Sequence, residues 1–142
     1  MIVLDTNVLS ECMRSRPAPQ VLAWLDAQPP ASLWLSAISH AEIALGLALM
    51  PQSKRQAQLA QAAAEMFDSD FAGRCLPFHA DAAEHYARIV AVRTRMGRPI
   101  SVEDAQIAAI ALAHGASLAT RNLADFTNIE ALTLINPWDF RA

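Results

Sequence analysis

Short apolar runs alternate along this chain with longer stretches of helical character, and that alternation limits the fold more than any other feature. Residues 2–4, 32–35, 74–77, 117–120 and 133–135 read as strands, short and bounded by polar or turn residues. Residues 6–13, 17–27, 38–50, 52–68, 79–96 and 102–114 read as helices. Pro29-Pro30 breaks the second helix, Ser39 opens the third and Pro51 stops it, while Gly97, Pro99 and Gly115 close the last two. Alanine supplies 29 of the 142 residues, which favours helix in the long stretches. Strands alternating with helices predict an α/β sandwich around a central parallel sheet. The length suits one domain with its own core, and no repeat, linker or composition break divides residues 1–142.

Composition narrows the function classes. A chain that is 54% hydrophobic and 18% charged is not disordered. Four glycines, with no G-x-G-x-x-G and no G-x-x-x-x-G-K-[ST], exclude dinucleotide and P-loop sites. A net charge of −3 argues against a nucleic-acid coat protein but leaves room for a small local site. Cys12 and Cys75 build no disulfide framework, and Ile2-Val3-Leu4 meets Asp5 without any basic run. A cytoplasmic protein without a signal peptide is therefore expected. The greasiest stretch, residues 105–119, is interrupted by Gln106, His114, Gly115 and Ser117 and falls short of the roughly 20 apolar residues of a membrane span.

Ligands of a parallel sheet sit outside the carboxyl ends of its strands. Asp5, the segment from Ser36 to Glu42, and Thr120-Arg121-Asn122 all fall there. Four acids stand out: Asp5, Glu42, Asp104 and Asp125. Three have a plain reading as helix caps. Ser39-His40-Ala41-Glu42 fits a capping box, Ser101-Val102-Glu103-Asp104 has the related form, and Asp125 lies near a helix start. Asp5 differs, because a carboxylate at the mouth of a buried strand needs a cation, a helix N-terminus, or both. If Asp5, Glu42 and Asp104 converge, each close pair costs about 4 kcal/mol at about 4 Å and an effective dielectric of about 20. A divalent cation or retained protons then offset the repulsion. All-oxygen ligands favour Mg²⁺ or Mn²⁺ over zinc, and such a cation activates water against a phosphodiester.

Asp5-Thr6-Asn7-Val8-Leu9-Ser10, Ser36-Ala37-Ile38 with Ala41-Glu42-Ile43 and Gly46, Asp104 with Ile107-Ala108, and Ala119-Thr120-Arg121-Asn122 with Asp125-Phe126 follow one another in a set order. That series resembles the PIN-domain nucleases, and more closely the VapC-type toxins with their FitB-like relatives. Asn136-Pro137-Trp138 is similar to the FitB-like ending, and the resemblance covers essentially the whole chain. It implies a Rossmann-like α/β/α PIN domain and a Mg²⁺-dependent endoribonuclease, with Mn²⁺ able to substitute. It further implies the toxin of a type II toxin–antitoxin system, neutralised by a small VapB-type antitoxin. A homodimer that builds a heterotetramer or larger assembly with the antitoxin is expected, with no membrane.

Asp5, Glu42 and Asp104 match the family's three acids, and the resemblance makes Asp5 and Asp104 the direct metal ligands. Thr6, Asn7, Thr120 and Asn122 would orient them. Many relatives carry an acid where this chain has Asn122, so Asp125 is expected to serve as the fourth catalytic acid, and one metal or two stays open. Arg93, Arg95, Arg98 and Arg121 are expected around the acids, holding RNA phosphates. His40 is two residues from Glu42 and so faces elsewhere on its helix. Trp24, Trp34 and Trp138 read as packing residues. Residues 6–13, 17–27 and 43–50 hold more apolar side chains than one core stripe needs, and the resemblance suggests an antitoxin groove there. Two alternatives remain. One is a catalytically weak PIN-like module that binds RNA or protein, which Asn122 permits. The other is a phosphohydrolase with a nucleophilic strand-end aspartate, although such enzymes resemble D-x-D and Asn7 stands in the second place.

Overall fold

Val3 and Leu4 are both fully buried although consecutive strand residues point to opposite faces, so the first strand is covered on both sides. The computed structural model describes residues 1–141; Ala142, the last residue of the expected domain, lies outside the described residues. Five strands form one all-parallel sheet: β1 (Ile2–Leu4), β2 (Leu33–Ser36), β3 (Cys75–Leu76), β4 (Ser117–Ala119) and β5 (Leu134–Ile135). Their order is β3-β2-β1-β4-β5, with β1 at the centre. The helices are α1 (Thr6–Cys12), α2 (Pro19–Asp26), α3 (Ala37–Leu49), α4 (Lys54–Glu65), α5 (Ala80–Arg95) and α6 (Val102–Ala113).

The alternation of side chains along the strands divides the interior into two cores. Val3, Trp34 and Leu118 face the core shared with α5 and α6. Leu4, Leu33, Leu35 and Ala119 face the one shared with α1 and α2. Helix α6 is buried from Ile107 to Ala111, which explains the greasy stretch around it. Its alanines let α5 and the sheet approach closely. Among the described residues, no helix is long and apolar enough to cross a membrane.

The strand order places the site. From β1 the chain moves outward to β2 and β3, then crosses to the other side for β4 and β5. The reversal lies between β1 and β4, and a crevice opens outside their carboxyl ends. Val3 pairs with Leu118 and Leu4 with Ala119, so Asp5 and Thr120 emerge side by side.

Helices α3 and α4 show the most informative departures from the expected boundaries. Helix α3 opens at Ala37, capped by Ser36, whose Oγ accepts from the Ser39 N–H at 3.1 Å. Strand β2 runs to Ser36 and turns directly into the helix, so Ser39 lies within its first turn and no capping box forms at residues 39–42. Helix α4 ends at Glu65 instead of running to Asp68, and Met66–Asp70 continues as a wider π-helical turn. That turn packs Met66, Phe67 and Phe71 on the second core.

Leu118 is fully buried on a central strand. Leu118→Ala is expected to cost about 2–5 kcal/mol of stability, read as a lower denaturation midpoint in urea. A loss below about 1 kcal/mol would contradict the packing described.

Candidate active site

Asp5 leaves β1 and caps α1, with 4% of its surface exposed. Its Oδ1 accepts from the Thr6 N–H at 2.8 Å. Its Oδ2 accepts from the Thr120 hydroxyl at 2.7 Å and from Asn7 Nδ2 at 3.1 Å. The expected helix N-terminus is thus present. Thr120 Oγ1 in turn accepts from the Asn122 N–H at 3.1 Å, and Asn7 Oδ1 accepts from the Arg121 N–H at 3.2 Å. These bonds tie the ends of β1 and β4 together around one carboxylate.

Glu42 comes from α3. Its Oε1 accepts from the Thr6 hydroxyl at 2.7 Å, and that hydroxyl also shares a hydrogen bond with the buried Ser39 hydroxyl at 2.8 Å. Ser36 and Ser39 therefore serve Glu42's support. Asp104 sits in the first turn of α6, where its N–H donates to the Ser101 cap at 3.1 Å. The expected cap at Ser101 is present, and the Asp104 carboxylate, with Asp5 and Glu42, lines an open cleft of about 490 Å³.

Electrostatics mark the cleft. Burial pushes the Asp5 carboxyl above its ordinary range; the Thr120, Thr6 and Asn7 hydrogen bonds oppose that, and the Glu42 charge adds to it. Asp104 is pushed up to about 6, first by burial, then by the charge of Asp5, with Asp125 and Glu42 adding and the Ser101 hydrogen bond opposing. Acids that resist ionisation together suit a site whose charge a cation completes. The lining offers carboxylates, hydroxyls and amides but neither His nor Cys, a donor set for Mg²⁺ or Mn²⁺. Among the described residues no three acid, imidazole or thiol groups form a ready-made cage. Mg²⁺ fits such openness, since it keeps several waters and takes only one or two carboxylates.

The sequence profile of the PIN domain matches residues 2–132. The chain belongs to the PIN-domain family. It is 45% identical over 139 residues to VapC ribonuclease Y4jK of Sinorhizobium fredii, covering 98% of this chain and 99% of that protein. It is 39% identical over 138 residues to toxin FitB of Neisseria gonorrhoeae, covering 97% and 99%. The structure of FitAB bound to the IR36 DNA fragment contains a similar chain, with a TM-score of 0.89 at 38% identity, covering 100% of this chain and 99% of that one.

Within this PIN domain, Asp5, Thr6, Asn7, Glu42, Asp104, Arg121 and Asn122 meet at the cleft. Asp125 does not line it, although its charge reaches Asp104. His40 stacks on Phe67, ring centroids 3.9 Å apart, and is also absent from the lining. The expected arginine cluster needs correction. Arg93 is only 6% exposed, and its guanidinium donates to three carbonyls, those of Arg98 (2.8 Å), Asp125 (2.9 Å) and Thr127 (3.1 Å). It clamps the end of α5 to the segments before α6 and after β4, and its burial keeps it from presenting a phosphate-binding surface there. Arg95 lines a separate groove beside Ile129, and Arg98 lines no part of the acid cleft.

The cleft also holds Ser10, Glu11, Arg14 and Trp138, which sequence reasoning missed. Glu11 is buried, accepts from the Ala18 N–H at 2.8 Å and pairs with Arg14 at 3.3 Å. Spacing held the signal: Asn7, Ser10, Glu11 and Arg14 recur at helical intervals of three and four from the strand-end acid.

Arg93→Ala is expected to cost on the order of 3 kcal/mol, because buried carbonyls lose their donors. In the folded variant the salt dependence of RNA binding should match wild type; a flatter slope would restore Arg93 to the RNA surface. Asp104 gives a pH signature. Its folded pKa lies above the unfolded value, so the native state binds the extra proton, and stability is lost as pH rises toward about 6. In EDTA, wild type should lose Tm relative to Asp104→Asn between about pH 4 and about pH 7. Parallel profiles would remove the raised pKa.

Proposed function

We propose that this PIN domain, taken as one domain over residues 1–142, is a Mg²⁺-dependent endoribonuclease and the toxin of a cytoplasmic type II toxin–antitoxin pair. The observation that carries the reading is the gathering of Asp5, Glu42 and Asp104 on one open cleft at the reversal of strand order. The ribonuclease and toxin names of its relatives support it.

Asp5 and Asp104 would hold the cation, their repulsion and burial being what its charge offsets. Mg²⁺, when bound, supplies Lewis-acid stabilisation of the phosphodiester oxygens and an acidified water. The chain's own groups do the rest. Thr6, Asn7 and Thr120 fix Asp5 in one rotamer, so the site is organised before substrate arrives. Thr6 holds one oxygen of Glu42 and leaves the other to accept a proton from the attacking water. Arg121 and Arg14 at the rim supply donors for phosphate oxygens. Asn122 stands in the fourth acid's place as a neutral amide, and Asp125 lies off the cleft, so one resident cation is the expected complement.

A second groove, about 770 Å³, shares Thr6, Ser10, Arg14 and Glu42 with the acid cleft. Met13, Ile43, Leu47, Met50 and Leu59 give it an apolar floor between α1, α3 and α4; α2 takes no part, unlike the expectation for residues 17–27. It suits an amphipathic segment of a VapB-type antitoxin, which would then reach the acids. The similar chain in the DNA-bound FitAB complex supports a protein partner, and a homodimer within a larger toxin–antitoxin assembly follows the same reading.

Purified protein should cut generic RNA in Mg²⁺ and stop in EDTA, and Asp5→Asn or Asp104→Asn should slow cleavage by at least about 100-fold. Undiminished cutting by Asp5→Asn sinks the mechanism, and RNA binding without any cutting points to the non-catalytic module. Calorimetric titration with Mn²⁺ should show one binding event; two would put a second metal in the cleft despite Asn122.

A further inference from the structure

We propose that Arg121, held over the Trp138 ring, forms a stacking shelf at the cleft rim that receives an unpaired nucleobase of the RNA strand next to the cut. The inference rests on the ribonuclease reading and names the feature of the substrate that this site selects.

The Arg121 guanidinium carbon lies 5.0 Å from the centroid of the Trp138 ring. Arg121 is exposed, and among the described residues its guanidinium makes no salt bridge, although four carboxylates, Asp5, Glu11, Glu42 and Asp104, line the same cleft. It is held by the indole and not spent on the acids. Both partners are fixed relative to the chemistry. The Arg121 N–H donates to Asn7, which also bonds Asp5, while Trp138 packs on the second core in the Pro137–Asp139 turn that follows β5. The shelf therefore belongs to the carboxyl ends of β4 and β5, one strand step from the metal acids.

Trp138 also lines a neighbouring cleft of about 520 Å³ with Gln20, Asp139, Phe140 and Arg141. A path thus leads from the acids past Arg121 and Trp138 to a second aromatic ring and a second arginine. Alternating cations and flat groups is how proteins hold single strands: bases stack on aromatic rings or guanidinium planes while cations follow the backbone. The edge of the Arg121 plane keeps its N–H donors for a phosphate while its face takes the base. A duplex keeps its bases stacked inside and cannot offer one to the shelf. A carboxylate of a protein partner would engage only the edge.

The test uses the full-length protein in Mg²⁺ and a single-stranded oligonucleotide with one mapped cut, each flanking base being replaced in turn by an abasic residue. In wild type one abasic position should raise KM about tenfold, the scale of one stacked base. Arg121→Lys keeps the charge and loses the plane; Trp138→Leu loses the support. Both should lose the same factor with intact RNA and nothing further with abasic RNA, the loss falling in KM more than in kcat. Trp138→Phe should retain most of the affinity. Arg121→Lys behaving as wild type, or abasic RNA costing all proteins equally, overturns the shelf and leaves Arg121 a phosphate contact. Arg121 is exposed, so its variant keeps the comparison open if Trp138→Leu fails to fold. If wild type cuts nothing, the ribonuclease reading fails separately, and 2-aminopurine placed at each position of a single-stranded oligonucleotide in turn decides the shelf. Fluorescence quenched by wild type but not by Arg121→Lys upholds it, and no quenching discards it.

Discussion

The buried carboxylate of Asp5 is the group on which the rest of the structure turns. Leaving it unsatisfied at the mouth of a covered strand would cost several kcal/mol. Its acceptors are met from three directions: the first N–H of α1, the Asn7 amide beside it, and the Thr120 hydroxyl from a strand more than a hundred residues later. Satisfying one acid therefore fixes where α1 starts and how β4 aligns with β1. The side chains that stabilise the fold here are the ones that shape the cleft. Because burial outweighs these hydrogen bonds in setting the Asp5 pKa, the site is well ordered yet still short of positive charge.

The same balance explains the supports of Glu42. Ser39 and Thr6 pass a hydrogen bond between buried interior and open cleft, so the exposed carboxylate is anchored through hydroxyls and not through a cation. An arginine partner would neutralise the acid and compete with a metal. A hydroxyl orients it and leaves the charge in place. Of the two arginines at this rim, Arg14 pairs with Glu11, while Arg121 is turned toward an indole and not onto the acids.

Much of this was legible in the sequence, for identifiable reasons. Ile2-Val3-Leu4-Asp5 announced a covered strand with an acid at its end because apolar runs and a charge have few joint solutions. The parallel α/β layout followed from alternation alone. The order of strands did not, since nothing local records that the chain crosses over β1 between β3 and β4. The capping motif at residues 39–42 misled because a box needs the serine at the helix start, and β2 ends at Ser36, so that residue takes the role. Ser101 showed the other outcome: it does cap its helix, and Asp104 lines the cleft all the same. Capping and chemistry were never exclusive.

The arginines show most sharply why residue type underdetermines role. Arg93 lies in the last turn of a long amphipathic helix, beside two segments whose carbonyls at Arg98, Asp125 and Thr127 accept from its guanidinium. A guanidinium, with five donors in a rigid fork, satisfies several at once where a lysine would satisfy fewer, so burial there is stable without a counter-ion. Arg121 follows a two-sided strand at the opening of the crevice, where its backbone is fixed by Asn7 and its side chain lies over the Trp138 face. The net charge of −3 is then no argument about nucleic acid in either direction. What matters is that Asp5, Glu42 and Asp104 line one cleft and that the Arg121 guanidinium beside them makes no salt bridge among the described residues. With the neutral amide of Asn122 at this rim in place of a further acid, the cleft carries less like-charge repulsion, and the indole of Trp138 can form part of its wall.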